Sequence, residues 1–201
     1  MHILRHIRQL WSHGGYWQFL YRRRRQWHGV STGQIVASQV FTVVASVAAG
    51  FLLDISKETL VYLAGTLLML PGIIDLAASL TGAMCAKINH QIDATRAPVW
   101  VVVTQAVVFA LFVGVVAGLL VGIVGGLLAM WLFGASMLKM IGLSVIAMAL
   151  TGVLVYPLMG LLVVLIRRLN MNPDNIAGPV ESSVVDIVAV LVVAMVAGWL
   201  A

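Results

Sequence analysis

Apolar residues fall into five long stretches along the chain, roughly 30–53, 60–86, 98–133, 140–166 and 179–201. Each reaches or exceeds the about 20 residues that a helix needs to cross a bilayer. The polar breaks between them are short: DISKET, KINHQIDATRAP, GASMLK and RRLNMNPDNIAG. None has room for a soluble domain. The pattern therefore predicts an all-α integral membrane protein whose five transmembrane helices fill residues 30–201.

The third stretch carries no charged residue between Ala97 and Leu138. As a straight helix, residues 98–133 would reach about 54 Å, against a hydrocarbon core of about 30 Å. It reads as one long helix that tilts or breaks near Gly125 and Gly126; two short crossings would change the topology. Ala106, Ala110, Gly114, Gly118, Gly122 and Gly126 recur at every fourth position in it. Small residues at that spacing form a ridge on which a neighbouring helix packs closely.

Composition agrees with a membrane protein. Of 201 residues, 62% are hydrophobic and 9% charged, whereas about a quarter are charged in soluble domains. The net charge of +5 is concentrated in residues 1–29. There Arg5, Arg8 and the run Arg22, Arg23, Arg24, Arg25 stand among Trp11, Tyr16, Trp17, Tyr21 and Trp27. This tail lacks the apolar stretch and small-residue cleavage site of a secretory signal. With a span following at once, it reads as an amphipathic anchor on membrane lipids at the cytoplasmic surface rather than a nucleic-acid binder. His2 and His6 share one helical face, but no third ligand accompanies them. Cys85 is the single cysteine, so no intrachain disulfide forms.

Five crossings place ten of the twelve Lys and Arg residues on one side, leaving Lys57 and Lys139 on the other. The positive-inside rule then sets the N-terminus in the cytoplasm and the C-terminus outside, in the plasma membrane.

Candidate chemistry rests on three acids at membrane depth. A charge in hydrocarbon costs roughly 2.5–3.5 kcal/mol on insertion scales. Asp75 lies near the middle of the second span, four residues after Pro71, with Ser79 and Gly82 following at i+4 and i+7. In the fifth span Ser182 and Ser183 precede Asp186 by four and three residues, after Pro179. Glu181 stands about 140° around the helix from Asp186 and in the first turn, where the helix dipole favours an acid. No Lys or Arg lies within a span to neutralise them. Carboxylates, hydroxyls and freed carbonyls are hard ligands that suit magnesium or calcium better than zinc or copper. A cation pathway and proton coupling are both consistent with these acids. Enzymatic chemistry is not supported: H-E-x-x-H is absent, and no span holds a His to activate a serine.

The segment NPDNIAGPVESSVVD, residues 172–186, resembles the start of the last span in MgtE-type magnesium transporters and their eukaryotic solute-carrier relatives. That family has a D-P-x-x-x-x-x-P stretch leading to T-T-x-x-D, whose Asp is the pore carboxylate. Pro173, Asp174, Asn175, Pro179, Ser182, Ser183 and Asp186 occupy the matching positions. LPGIIDLAASLTGAMCAK, residues 70–87, resembles the family's second span. The resemblance implies a dimeric divalent-cation channel or transporter with its pore between second and fifth spans at the two-fold axis. It implies no cofactor beyond the transported ion. Eukaryotic members join two five-span units, so a single unit is expected to pair with itself or with a sister chain. The chain departs from the family at Ala77, Ala78 and Ser79, where a Gly-Asn element is usual, and at Glu181, an unusual acid. Bacterial members also carry cytosolic sensor domains; with only a short basic tail here, that gating is not carried over.

The sequence thus reads as a divalent-cation transporter, most simply for magnesium, with Asp186, Asp75, Ser79, Ser182, Ser183 and Glu181 as candidate ion-site residues. The other readings are a non-conducting partner subunit of a related transporter and a proton-coupled carrier of another solute. The topology is directly testable. A reporter fused after Ala201 is expected to read outside; a cytoplasmic signal would mean that the third stretch crosses twice.

Overall fold

The computed structural model describes residues 32–95, 97–169, 171 and 173–201. The basic tail, with Arg22 to Arg25, lies outside the described residues. The described chain forms five helices: α1 (Thr32–Tyr62), α2 (Thr66–Ala94), α3 (Val99–Phe133), α4 (Met137–Arg168) and α5 (Pro173–Leu200). All five contain a segment long and apolar enough to cross a membrane. The helices extend past several polar breaks read in the sequence. Intrahelical hydrogen bonds do not depend on hydrocarbon, so α1 continues through Asp54, Lys57 and Glu58, and α2 through Lys87 to Asp93.

Tight turns set the up-and-down order. Gly65 adopts φ +94° between α1 and α2, where an added Cβ would also collide with Ala129. The Thr66 hydroxyl donates to the Leu63 carbonyl at 2.8 Å and closes that turn. Gly134, at φ +67°, ends α3, and its N–H donates to the Met130 carbonyl at 3.0 Å. A left-handed glycine there stops the helix without a Cβ penalty. Pro173 opens α5, where its missing N–H costs no intrahelical bond.

Helix α3 is continuous and does not break at Gly125 and Gly126. These two glycines face different neighbours. A Cβ on Gly125 would lie 2.7 Å from Met69 Cγ of α2, and one on Gly126 3.2 Å from Met140 Cβ of α4. The length is accommodated at the ends. Trp100 and Trp131 are exposed near the two termini of α3. They stand about 46 Å apart along the axis, close to the about 40–45 Å of a bilayer with its headgroups. Tryptophans favour that interface.

The tightest packing joins α3 to α4. Ala106, Ala110, Gly114, Gly118, Gly122 and Gly126 are all buried. A Cβ on Gly118 would lie 3.0 Å from Met148 Cβ, and one on Gly122 2.8 Å from the Ile141 backbone. Helix α5 packs between α1 and α4 and also touches α2. Helices α1 and α2, although consecutive, barely touch. The remaining core is aliphatic and sulfur-rich, with Ile73, Ile88, Met140, Met148, Met159 and Tyr156 fully enclosed.

The backbone approach at Gly122 should not tolerate a methyl group. Gly122→Ala is expected to lower stability by about 1–3 kcal/mol through overpacking, measured by thermal unfolding in detergent. Gly50 has nothing within 4 Å of an added Cβ, so Gly50→Ala should be neutral or slightly stabilising. Equal effects at the two positions would contradict this packing.

Candidate functional site

Helices α2 and α5 run antiparallel and meet where Gly82 faces Glu181. A Cβ on Gly82 would stand 2.5 Å from Glu181 Oε1, so the missing side chain is what seats the carboxylate. One turn further along α2, Cys85 stands beside the same cleft. Cys85 is 4% exposed. A cleft of about 180 Å³ opens here, with Gly82, Cys85, Ala86, Val163, Ala177 and Glu181 in its walls.

Asp75 and Asp186 lie toward the other end of the same helix pair. From the Gly82–Glu181 level, Asp75 is about 10.5 Å back along α2 and Asp186 about 7.5 Å on along α5. Because the helices are antiparallel, both displacements have the same direction, and the two acids sit at similar depth. Their surroundings differ. Asp75 and Ser79 are exposed on the outer face of α2, whereas Asp186 is half-buried. Among the described residues the ion pairs are Lys57–Asp54 and Arg167–Asp93. Neither reaches the three acids within the spans.

The two serines of α5 are engaged with their own helix. Ser182 and Ser183 donate to the Pro179 carbonyl at 3.2 and 2.9 Å. Thr42 of α1 reaches the same oxygen at 3.0 Å and the Ser38 carbonyl, also at 3.0 Å. These hydroxyls tie the first turns of α5 together and to α1. Among the described residues no three His, Cys, Asp or Glu side chains converge as a metal cage. The acids of one chain are therefore spaced singly along the α2–α5 surface.

At the end where α5 begins, Arg167 of α4 clasps α2. Its guanidinium donates to the Asn89 carbonyl at 3.1 Å, to Asn89 Oδ1 at 2.5 Å and to the Asp93 carboxylate. This clasp fixes the α2 terminus beside the cleft. Sequence reasoning placed Arg167 only as a cytoplasmic charge and read Cys85 only for its lack of a disulfide partner. The signal that was available is spacing: Gly82 and Cys85 are i and i+3 on α2, hence on one face.

Five spanning helices, with carboxylates at membrane depth and, among the described residues, no base paired with them, define a multi-pass membrane protein built to handle cations. Residues 70–196, more than half of the chain, match the family model for MgtE, described as a divalent cation transporter. The chain belongs to the MgtE family of divalent cation transporters. The matched region runs from α2 to near the end of α5 and contains Asp75, Ser79, Glu181, Ser182, Ser183 and Asp186. No curated protein and no solved structure matches the chain.

Proposed function

We propose that the protein conducts divalent cations, magnesium above all, through a pore lined by α2 and α5 of two paired chains. The observation that carries this reading is the placement of Asp75 and Ser79 on the outer face of α2, at the depth of Asp186. A carboxylate left against lipid would be costly, and among the described residues no base pairs with it. A second five-span chain laid against that face, identical or a sister, encloses the acids and brings two sets to one axis. An ion passing between them supplies the missing positive charge.

Asp186 serves as the ion site on this reading. Magnesium sheds its water reluctantly, so the carboxylate holds a largely hydrated ion through its shell. Asp75 and Ser79 line the approach. Ser182 and Ser183 shape the start of α5 through their bonds to Pro179. The family's chemistry is transport and requires no resident cofactor. The tail anchors the cytoplasmic surface through Arg22 to Arg25, with the protein in the plasma membrane.

Pairing is tested by crosslinking in native membranes, with Cys85→Ser as background and single cysteines placed on the Asp75 face of α2. A species of twice the chain mass, or one containing a sister chain, is expected. A strict monomer that still conducts would overturn the shared pore. Ion flux into liposomes tests the site. Asp186→Ala and Asp186→Asn should both fold and lose most of their magnesium flux, the second because it keeps the shape and loses the charge. Asp186→Glu should keep partial flux, and Asp75→Asn should lose less than either Asp186 variant. Normal flux in Asp186→Ala would sink Asp186 as the ion site. Absence of flux in the unaltered protein alone, restored by a sister chain, would favour the partner-subunit reading.

A further inference from the structure

In the sequence Lys87 follows the second apolar stretch, yet α2 continues past it to Ala94. Its ammonium stands 4.3 Å from the centre of the Phe109 ring of α3. Among the described residues no carboxylate joins it, the ion pairs being Lys57–Asp54 and Arg167–Asp93. Both acids of α2, Asp75 and Asp93, lie about 120° around the helix from Lys87. Trp100 is exposed near the start of α3, and tryptophans favour the membrane surface. Phe109 stands about 13.5 Å inward of Trp100 along the helix, beyond a headgroup layer of about 5–7 Å. A cation at that depth needs a counter-charge, and an exposed aromatic ring offsets only part of the need.

A second unmet demand lies beside it. Gln105 is one turn from Phe109 on the same face of α3, toward Trp100, and is exposed. Its side-chain amide makes no hydrogen bond among the described residues. An amide facing hydrocarbon without a partner is unfavourable. Lys87 and Gln105 are thus two donors flanking one ring on the outer crease of α2 and α3. The lysine stem is long enough to rise toward the headgroups. The group that meets both needs is an anionic acceptor reaching down from the membrane surface.

We propose that Lys87 and Gln105 form a site for the headgroup of an anionic phospholipid, in the leaflet at the α2–α3 turn. Its phosphate supplies the negative charge that Lys87 lacks and the acceptor that Gln105 lacks. An acyl chain lies along Phe109 and Val116, which are exposed on the same face of α3. A zwitterionic lipid presents the same phosphate with its charge neutralised by its own amine, so the site favours lipids of net negative charge. Pairing through the Asp75 face leaves this crease open to lipid, and the site does not rest on the proposed conduction.

Native mass spectrometry of the full chain, released from detergent after titration with phosphatidylglycerol or phosphatidylcholine, tests the site. The expected result is tighter retention of phosphatidylglycerol. Lys87→Gln should reduce that preference about fivefold, the contribution of one base near a membrane surface, and Lys87→Arg should keep it. Gln105→Leu should weaken phosphatidylglycerol binding at least about twofold, as expected for one lost hydrogen bond. The basic tail also attracts anionic lipid, so each measurement is repeated with Arg22 to Arg25 replaced by Gln, where the Lys87 effect should persist. No preference for phosphatidylglycerol in that background, or an unaltered preference in Lys87→Gln, would overturn the site. Displacement of the lipid by excess inorganic phosphate would also overturn it, as a site for free anions. Loss of a two-chain species in Lys87→Gln, with lipid retention unchanged, would give the crease to a protein partner instead. Ion flux does not enter the readout, so failure of conduction and failure of this site are told apart.

Discussion

Helices in a bilayer gain little from hiding apolar surface from one another, because lipid tails are as apolar as leucine. What holds this bundle together is close backbone approach, and the α3–α4 contact supplies more of it than any other helix pair. At Gly122 the neighbouring backbone comes within 2.8 Å of where a Cβ would stand. Many weak dispersion contacts then accumulate along the whole shared length. With α3 and α4 joined, α5 rests on α4 and α1, and α2 bridges α3, α4 and α5. The position of the α2–α5 pair, and of every acid on it, follows from that first contact.

The number and type of helices were legible because hydrophobic length against membrane thickness is a nearly one-to-one code. Helix ends were less so. Lys87, Asn89, His90 and Asp93 look like a connector by composition, yet α2 runs through them to Ala94 and is clasped there by Arg167. That fastening is a long-range contact that no local pattern announces. The third span illustrates a different limit. Its adjacent glycines, Gly125 and Gly126, read as a weak point in the sequence, but each gives room to a different helix. A glycine pair permits a kink only where nothing packs against it, and here both sides are occupied.

The acids were legible as anomalies, since charge at membrane depth is costly and no nearby base explains it. Their surroundings were not. Helical spacing told that Glu181 and Asp186 point in different directions, but not toward which neighbours. The fold shows Glu181 seated over Gly82, in the cleft that Cys85 also lines. Asp75 is turned outward, and Asp186 lies between these extremes. Cys85 gave no signal because a single cysteine carries chemistry only through what the fold sets beside it.

This contrast assigns different needs to acids on the same pair of helices. A buried carboxylate is tolerated when hydrogen bonds satisfy it, and becomes strongly unfavourable when a charge is left without a partner. Glu181 has a space within its own chain to hold it, left open by Gly82. Asp75 forms no ion pair among the described residues and is exposed on the outer face of α2. Removing the charge at Asp75 should therefore alter pairing or conduction while leaving the single-chain fold intact, because among the described residues no ion pair involves that charge. Removing Glu181 acts elsewhere: it disturbs the α2–α5 contact at Gly82 directly.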